Sequence, residues 1–273
     1  MTTWTSAFGS ACGWLLDRIV RGLALTRISP NVLTFIGLVI NIAAAFLFGH
    51  ANASNNDRMF LFAGLVIFGA GIFDMVDGRV ARSTNQVTIF GSFFDSVIDR
   101  YSDVVLFFGL LVYYGRINRF RYVVLVAFVM VTSLMVSYTR ARAEALIGQC
   151  KVGFMERPER IVLFMIGAFT NRMAGVLWVI LVLSIFSVAD RVILTYRVLE
   201  RGTEQRPAAI TRSPLPVRML WNGFFWTFER ATWQYDVMVI VILAFVWLVP
   251  PDWIRDPMAS GTGPIGWVLR QVR

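Results

Sequence analysis

The chain has 273 residues, of which 57% are hydrophobic and 14% aromatic, and its mean hydropathy is +0.63. These values exclude an ordinary soluble domain and indicate a polytopic membrane protein. The net charge of +9 comes from arginine, since Lys151 is the only lysine. In a membrane protein, such a basic excess serves to orient the chain in the bilayer and to contact anionic headgroups, so no nucleic-acid partner is inferred.

Residues 1–28 are expected to form an amphipathic helix ahead of the first membrane span. Apolar residues recur at helical spacing from Trp4 to Leu23, while Asp17, Arg18 and Arg21 occupy other positions. This pattern is typical of a helix that lies in the membrane interface. A helix packed against the protein's own bundle would show the same pattern, so both placements stay open.

Six apolar stretches between residues 29 and 200 predict an all-α bundle of six transmembrane helices. They cover about residues 32–49, 59–73, 87–113, 122–138, 161–169 and 176–188. Ser29 and Pro30 mark the start of the first helix. The fifth stretch is short for a membrane span unless its helix reaches back to Arg157.

A C-terminal extension, residues 201–273, follows a charged, proline-bearing boundary. Its aromatic segment at 219–235 would suit either lipid or a partner helix in a homodimer. The apolar run at 236–249 is short for a crossing and predicts either a tilted seventh span or a re-entrant segment.

The basic residues fall unevenly on the two sides of the predicted bundle. Sixteen lie on the side that carries residues 79–82, and five lie on the other side. By the positive-inside rule, the first side faces the cytoplasm, which predicts a protein of the cytoplasmic membrane. The cluster of Arg116, Arg119 and Arg121 is an exception to this distribution.

Residues 74–99, DMVDGRVARSTNQVTIFGSFFDSVID, hold four carboxylates between long apolar runs. An ionised Asp costs roughly 2.5 to 3.5 kcal/mol at a bilayer centre, so these groups need a cation. Asp74 and Asp77 are three residues apart, and Asp95 and Asp99 are four apart, so each pair shares a helix face. Two opposed faces would form an oxygen cage for two divalent ions, Mg²⁺ or Mn²⁺, completed by substrate phosphates. A transporter with an acidic cation route is the alternative from another functional class.

This spacing, D-x2-D-G-x2-A-R-x8-G-x3-D-x3-D, resembles the signature of the CDP-alcohol phosphatidyltransferase family, and every specified residue is present. The resemblance covers about residues 28–200 and implies that an alcohol attacks the phosphate next to the diacylglycerol of CDP-diacylglycerol, releasing CMP. It implies that Asp74, Asp77 and Asp95 are metal ligands and that Asp99 is the catalytic base, which also touches a metal. It implies contacts with the CDP-lipid from Asn31, Thr34, Gly78, Arg82 and Thr88. A catalytically silent scaffold is disfavoured by the intact motif.

Arginines at the cytoplasmic helix ends favour a phosphorylated polyol as the acceptor, because arginine binds phosphate bidentately. The strings DSVIDRYSD, SYTRARAE and ERPER resemble the branch of the family that makes phosphatidylinositol phosphate, or its archaeal ether-lipid counterpart, from inositol 1-phosphate. That resemblance implies an acceptor site at Arg140, Arg157 and Arg191, although lysine is common in that branch at the position of Arg140.

Other acceptors stay open at this point. Glycerol 3-phosphate would make the protein a phosphatidylglycerophosphate synthase, but Gly37 stands where many bacterial enzymes of that kind carry an arginine. Serine or free inositol would leave the arginines without that role. Asp103 continues the acidic stripe by one turn and is expected to pair with Arg100 or another arginine instead of binding metal.

Overall fold

A computed structural model of the chain describes residues 29–52, 54–83, 86–150, 152–202, 214, 233–249 and 251–254. The predicted N-terminal helix lies outside the described residues, as do most of the linker, the aromatic segment up to residue 232 and the tail beyond residue 254. The regular secondary structure of the described residues is entirely α-helical, without a strand, which confirms the all-α prediction.

Eight helices follow one another along the described part of the chain: α1 (Pro30–His50), α2 (Asn56–Ser83), α3 (Ile89–Arg116), α4 (Phe120–Ile147), α5 (Arg157–Thr170), α6 (Met173–Arg201), α7 (Trp233–Leu248) and α8 (Pro251–Ile254). Four of them, α1, α2, α4 and α6, are long and apolar enough to cross a membrane. Helix α3 has the same 28-residue length as α4 but carries several acids, and α5 has only 14 residues. The structure therefore contains several helices that could cross a membrane, while the predicted total of six stays a prediction.

Two helix boundaries decide where the motif residues lie. Helix α2 continues ten residues past the predicted end at residue 73, so Asp74 to Arg82 occupy its last turns. Helix α5 begins at Arg157, the residue to which the short fifth apolar stretch was expected to reach back. The motif therefore lies on two helices, with a short connection between them.

Close contacts between small residues allow the helices to pack tightly. Helix α1 packs against α2 and α3, and α4 packs against α3 and α6. A Cβ atom on Gly109 of α3 would lie 2.4 Å from the Ala45 carbonyl oxygen of α1, so no larger residue fits without separating the helices. Edge-on rings of Phe48, Phe60 and Tyr113 fill the core beside this contact.

Successive helices from α1 to α6 run in opposite directions along the bundle. As a result, the start of α1, the end of α2 and the starts of α3 and α5 lie at one end of the bundle, which we call the site end. At the opposite end, the Arg116 guanidinium donates to the Gly49 carbonyl oxygen at 2.6 Å. This bond satisfies a carbonyl in the last turn of α1. It gives a structural role to Arg116, one of the three arginines that did not fit the charge distribution.

Helix α7 packs against α6 and has contacts at both ends of the bundle. Near its start, the Tyr235 hydroxyl bonds to Glu159 Oε1 at the site end. Beyond its end, the Ile254 carbonyl accepts a hydrogen bond from the Tyr122 hydroxyl at the start of α4, at 2.6 Å. Helices α7 and α8 together therefore reach from the site end to the opposite end of the bundle, while the seventh span stays a prediction.

Candidate active site

Three carboxylates from α2 and α3 converge at the site end. One oxygen from each of Asp74, Asp95 and Asp99 lies within 4.8 Å of the others. Opposite ligands of a Mg²⁺ ion are about 4 Å apart, close to this separation, and hard divalent cations prefer such an all-oxygen set. The donor set therefore fits a divalent metal. The side chain of Asp77 lies outside the described residues.

Arg157, the first residue of α5, joins the carboxylates of both motif helices. Its Nη1 atom lies 2.9 Å from Asp74 Oδ1 and 2.8 Å from Asp99 Oδ1. Its Nε atom lies 3.8 Å from Asp103 Oδ1. The guanidinium thus offsets part of the mutual repulsion among the acids and links the carboxylate cluster to α5.

Asp103 forms an ion pair with Arg160, as its position on α3 predicted for an arginine partner. The side chain of Arg160 is 2% exposed and that of Asp103 is 8% exposed. A buried charge needs such a partner, because burial removes its hydration. Asp103 is accordingly not part of the carboxylate cluster.

A cavity of about 290 Å³ brings together all five residues expected to contact the CDP-lipid. Its lining includes Asn31 and Thr34 from α1, Gly78 and Arg82 from α2, and Thr88. Asp95 also lines it, so the cavity opens onto the carboxylate cluster; we call it the nucleotide cavity, after the ligand that these residues are expected to contact.

Two residues of the nucleotide cavity also shape its wall. Thr88 is the N-cap of α3, and its Oγ1 atom accepts a hydrogen bond from the Gly91 amide at 2.9 Å. A Cβ on Gly91 would lie 3.0 Å from that oxygen and 3.4 Å from Asn31 Oδ1. A larger residue at this position would therefore press against both polar side chains of the cavity wall.

A second cavity, of about 140 Å³, contains the three arginines expected at the acceptor site. We call it the arginine cavity; it is lined by Asp99, Arg100, Asp103, Val136, Ser137, Arg140, Glu156, Arg157, Pro158, Arg160 and Arg191. Arg140, Arg157 and Arg191 come from α4, α5 and α6, so only the packing of three helices brings them together.

Glu156 and Arg160 belong to this cavity but were not among the predicted site residues. The Glu156 carboxylate pairs with Arg140 and lies 3.6 Å from Arg191 Nη2. Arg191 is 1% exposed and also donates to the carbonyl oxygens of Val136 and Val152. Arg160 belongs to the arginines at the cytoplasmic helix ends that favoured a phosphorylated acceptor, although it was not assigned to the acceptor site. The sequence signal for Glu156 was the string ERPER, where charges alternate around the start of α5.

A third, mainly apolar cavity of about 290 Å³ lies between α1, α2, α3 and α5. Its walls include Leu38, Phe68 and Ile161, and it reaches Asp74 and Asp99. Asp99 thus lines both the apolar cavity and the arginine cavity. Sequence reasoning missed this apolar cavity, because helical periodicity does not show where neighbouring helices leave space.

The family profile for CDP-alcohol phosphatidyltransferases matches residues 27–196. The chain belongs to this family. It is therefore a phosphatidyltransferase that uses a CDP-alcohol, and the matched region contains all the carboxylates and arginines described above.

Relatives within the family include the archaetidylinositol phosphate synthase of Pyrococcus horikoshii, 35% identical over 188 residues, which cover 68% of this chain and 94% of that protein. The phosphatidylinositol phosphate synthase of Mycobacterium tuberculosis is 37% identical over 163 residues, covering 59% and 71% of the two chains. Two crystal structures of the M. tuberculosis enzyme are also similar. The structure with bound CDP-DAG has a TM-score of 0.57 and 31% sequence identity, and the match covers 66% of this chain and 93% of that chain. The structure with manganese and citrate has a TM-score of 0.58 and 32% sequence identity, and the match covers 66% of this chain and 88% of that chain.

Proposed function

We propose that this phosphatidyltransferase transfers a phosphatidyl group from CDP-diacylglycerol to inositol 1-phosphate, releasing CMP. The observation that carries the proposal is the position of Asp99, which lines both the apolar cavity and the arginine cavity. A lipid donor and a phosphorylated acceptor can therefore approach one carboxylate from two sides. The names of the relatives in Pyrococcus and Mycobacterium support an inositol phosphate as the acceptor.

Asp74, Asp77, Asp95 and Asp99 would hold two divalent ions, for which we propose Mg²⁺ with Mn²⁺ as a substitute. When bound, such ions supply positive charge for the pyrophosphate of the donor and for the oxygen of the leaving CMP. A manganese-bound structure of the M. tuberculosis relative supports the use of a divalent metal. Clustered carboxylates on two helices also fix the depth of the reaction at the site end.

In the proposed reaction, Asp99 accepts the proton of the attacking acceptor hydroxyl on a carboxylate oxygen. The hydroxyl oxygen forms a bond to the phosphorus that carries diacylglycerol, and the bond from that phosphorus to the CMP oxygen breaks. CMP leaves as the anion, so atoms and charge balance. Arg157 contacts Asp99 at 2.8 Å and would hold the acceptor phosphate beside this carboxylate.

The nucleotide and the acceptor would bind at separate places. Asn31, Thr34, Gly78, Arg82 and Thr88 would hold the CDP group, because they line the nucleotide cavity next to Asp95. Arg140, Arg157 and Arg191 would hold the acceptor phosphate in the arginine cavity. Glu156 sits between Arg140 and Arg191, and we propose that it keeps these guanidinium groups apart and oriented before the phosphate arrives.

We further propose that the site faces the cytoplasm from a six-span core at residues 29–200 in the cytoplasmic membrane. The excess of arginine at this end supports that orientation. Residues 1–28 would lie at the membrane interface and residues 201–273 would form a separate extension. A homodimer within the bilayer is compatible with this arrangement and would use surfaces of the span helices or the extension.

The test is CMP release by the purified full-length protein with CDP-diacylglycerol and Mg²⁺. Inositol 1-phosphate, glycerol 3-phosphate, free inositol and serine would be offered in parallel. We expect release only with inositol 1-phosphate. Release only with glycerol 3-phosphate would replace the acceptor and keep the chemistry, whereas release with free inositol or serine would contradict the role of the arginine cavity.

A matched pair of variants tests the acceptor site itself. Arg157→Gln removes the guanidinium that contacts the carboxylate cluster and lines the arginine cavity. Arg142→Gln removes an exposed arginine of α4 that is not among the residues lining the arginine cavity. We expect the acceptor KM to rise by about tenfold or more for Arg157→Gln, since a charge-assisted contact to phosphate is lost. Equal kinetics in the two variants would refute the acceptor assignment.

A further inference from the structure

The C-terminal helices α7 and α8 lie beyond residues 27–196, the part of the chain that matches the family. They nevertheless contact the core at specific polar atoms. The Tyr235 hydroxyl lies 3.1 Å from Glu159 Oε1, and its ring lies 5.3 Å from the Phe154 ring, centroid to centroid. The extension therefore touches both sides of the point where α5 begins.

The first turn of α5 carries two arginines of the arginine cavity, Arg157 and Arg160, with Glu159 between them. Glu159 is 9% exposed, so its carboxylate has lost most of its hydration. A carboxylate at this depth is costly unless it accepts hydrogen bonds, and Tyr235 donates one of them. The bond thus fixes the side of the turn that faces away from the cavity.

The start of α5 has little to hold it locally. Its N-cap residue, Glu156, makes no side-chain capping bond, and its carboxylate instead contacts Arg140. The preceding loop is bonded to α6, because Ser187 Oγ accepts a hydrogen bond from the Met155 amide at 3.1 Å. Contacts from neighbouring helices therefore set the direction of this turn, and Tyr235 supplies the contact from the extension.

We propose that Tyr235 is a positioning residue for the acceptor: through Glu159, the C-terminal extension orients the turn of α5 that presents Arg157 and Arg160 to a phosphorylated substrate. This inference rests on the proposed function of the arginine cavity. Helix α5 lines the arginine cavity with its first turn and also part of the apolar cavity, but it does not line the nucleotide cavity. Loss of the tyrosine bond should therefore weaken acceptor binding more than binding of the CDP-lipid.

The experiment compares two Tyr→Phe variants of the full-length protein. Tyr235→Phe removes the hydroxyl that bonds to Glu159, and Tyr122→Phe removes the hydroxyl that bonds to Ile254 at the opposite end. Each keeps its ring and loses one bond between core and extension. We expect Tyr235→Phe to raise the acceptor KM about three- to tenfold, with the donor KM within about twofold of wild type, because this factor corresponds to the net contribution of a typical intramolecular hydrogen bond. Tyr122→Phe should have wild-type kinetics.

A second comparison separates positioning from general loosening. In a Glu159→Ala background, Tyr235→Phe should raise the acceptor KM no further, because the bond is already absent. An unchanged acceptor KM in Tyr235→Phe, an equal rise in Tyr122→Phe, or full additivity with Glu159→Ala would each overturn the inference. If Glu159→Ala does not fold, the two Tyr→Phe variants decide alone.

Failure of the proposed function would be visible separately, as absence of CMP release by the wild-type protein with every phosphorylated acceptor. In that case, equilibrium binding of inorganic phosphate to wild type, Tyr235→Phe and Tyr122→Phe gives the readout. Weaker phosphate binding in Tyr235→Phe alone would support the positioning role, and equal binding in all three would refute it.

Discussion

Replacement of Asp103 by Asn tests the buried ion pair beside the arginine cavity. Asp103 and Arg160 have side chains that are 8% and 2% exposed, and Arg160 is among the largest fully buried side chains of the described residues. The Asp103→Asn change keeps the shape of the side chain and removes its charge. The Arg160 guanidinium then stays inside the bundle without its ion-pair partner.

Loss of one partner from a buried ion pair costs about 3–5 kcal/mol, because the remaining charge is buried without compensation. The amide oxygen of Asn can still accept a hydrogen bond from Arg160, so we expect the lower end, about 3 kcal/mol. Since about 1.4 kcal/mol corresponds to a factor of ten, the ratio of folded to unfolded protein should fall roughly a hundredfold.

The assay is equilibrium unfolding in mixed micelles by titration with a denaturing detergent, followed by tryptophan fluorescence. Glu144→Gln is the matched control, because it makes the same carboxylate-to-amide change in an ion pair whose side chains are both 39% exposed. An exposed pair contributes about 0–1 kcal/mol. The double variant Asp103→Asn with Arg160→Gln should be more stable than Asp103→Asn alone, since it removes both charges.

Two results would refute the reasoning. One is a loss in Asp103→Asn as small as that in Glu144→Gln, which would mean that water reaches Arg160 in the membrane-embedded protein. The other is a double variant whose loss equals the sum of the two single losses, because independent sites add and a coupled pair does not.

Three further predictions follow from the site and the packing. Asp95→Asn should lower CMP release by at least about a hundredfold while the protein stays folded, and excess EDTA should abolish release until Mg²⁺ or Mn²⁺ is restored; full activity under either condition would exclude the carboxylate metal site. Arg191→Lys should raise the acceptor KM severalfold with little change in the donor KM, because lysine lacks the fork that binds phosphate, and Arg142→Lys serves as the unaffected control. Gly109→Val should destabilise the bundle by about 1–3 kcal/mol in the same unfolding assay, because its Cβ would collide with the Ala45 carbonyl, and an unchanged unfolding midpoint would contradict the close contact of α1 and α3.

Much of the site could be predicted because its carboxylates lie at helical spacing. The steps from Asp74 to Asp77 and from Asp95 to Asp99 place each pair on one helix face, whatever the rest of the bundle does. The apolar stretches around them exclude water, so a charged cluster there requires a cation. The resemblance to the family also depends on this segment, and the five residues of the nucleotide cavity were expected because the resemblance implies them.

Pair assignments among charged residues were harder to predict. Asp103 was expected to pair with an arginine, but helical periodicity offered Arg100 as readily as Arg160, and only the packing of α5 against the bundle selected Arg160. In the same way, Glu156 is near in sequence to Arg157, yet its carboxylate contacts Arg140 and Arg191 on other helices.

The amino-acid sequence by itself therefore determined the membrane class and the helix faces that carry the carboxylates, because both depend on local periodicity and on the cost of charge in an apolar segment, and its motif indicated the family. The tertiary structure decided which helices meet. It placed Arg157 against Asp74, 83 residues away, left an apolar cavity beside Asp99, and docked α7 on the turn that carries Arg157. The physical reason is that a helix fixes which side chains share a face, whereas the neighbour of that face depends on how all the helices pack together.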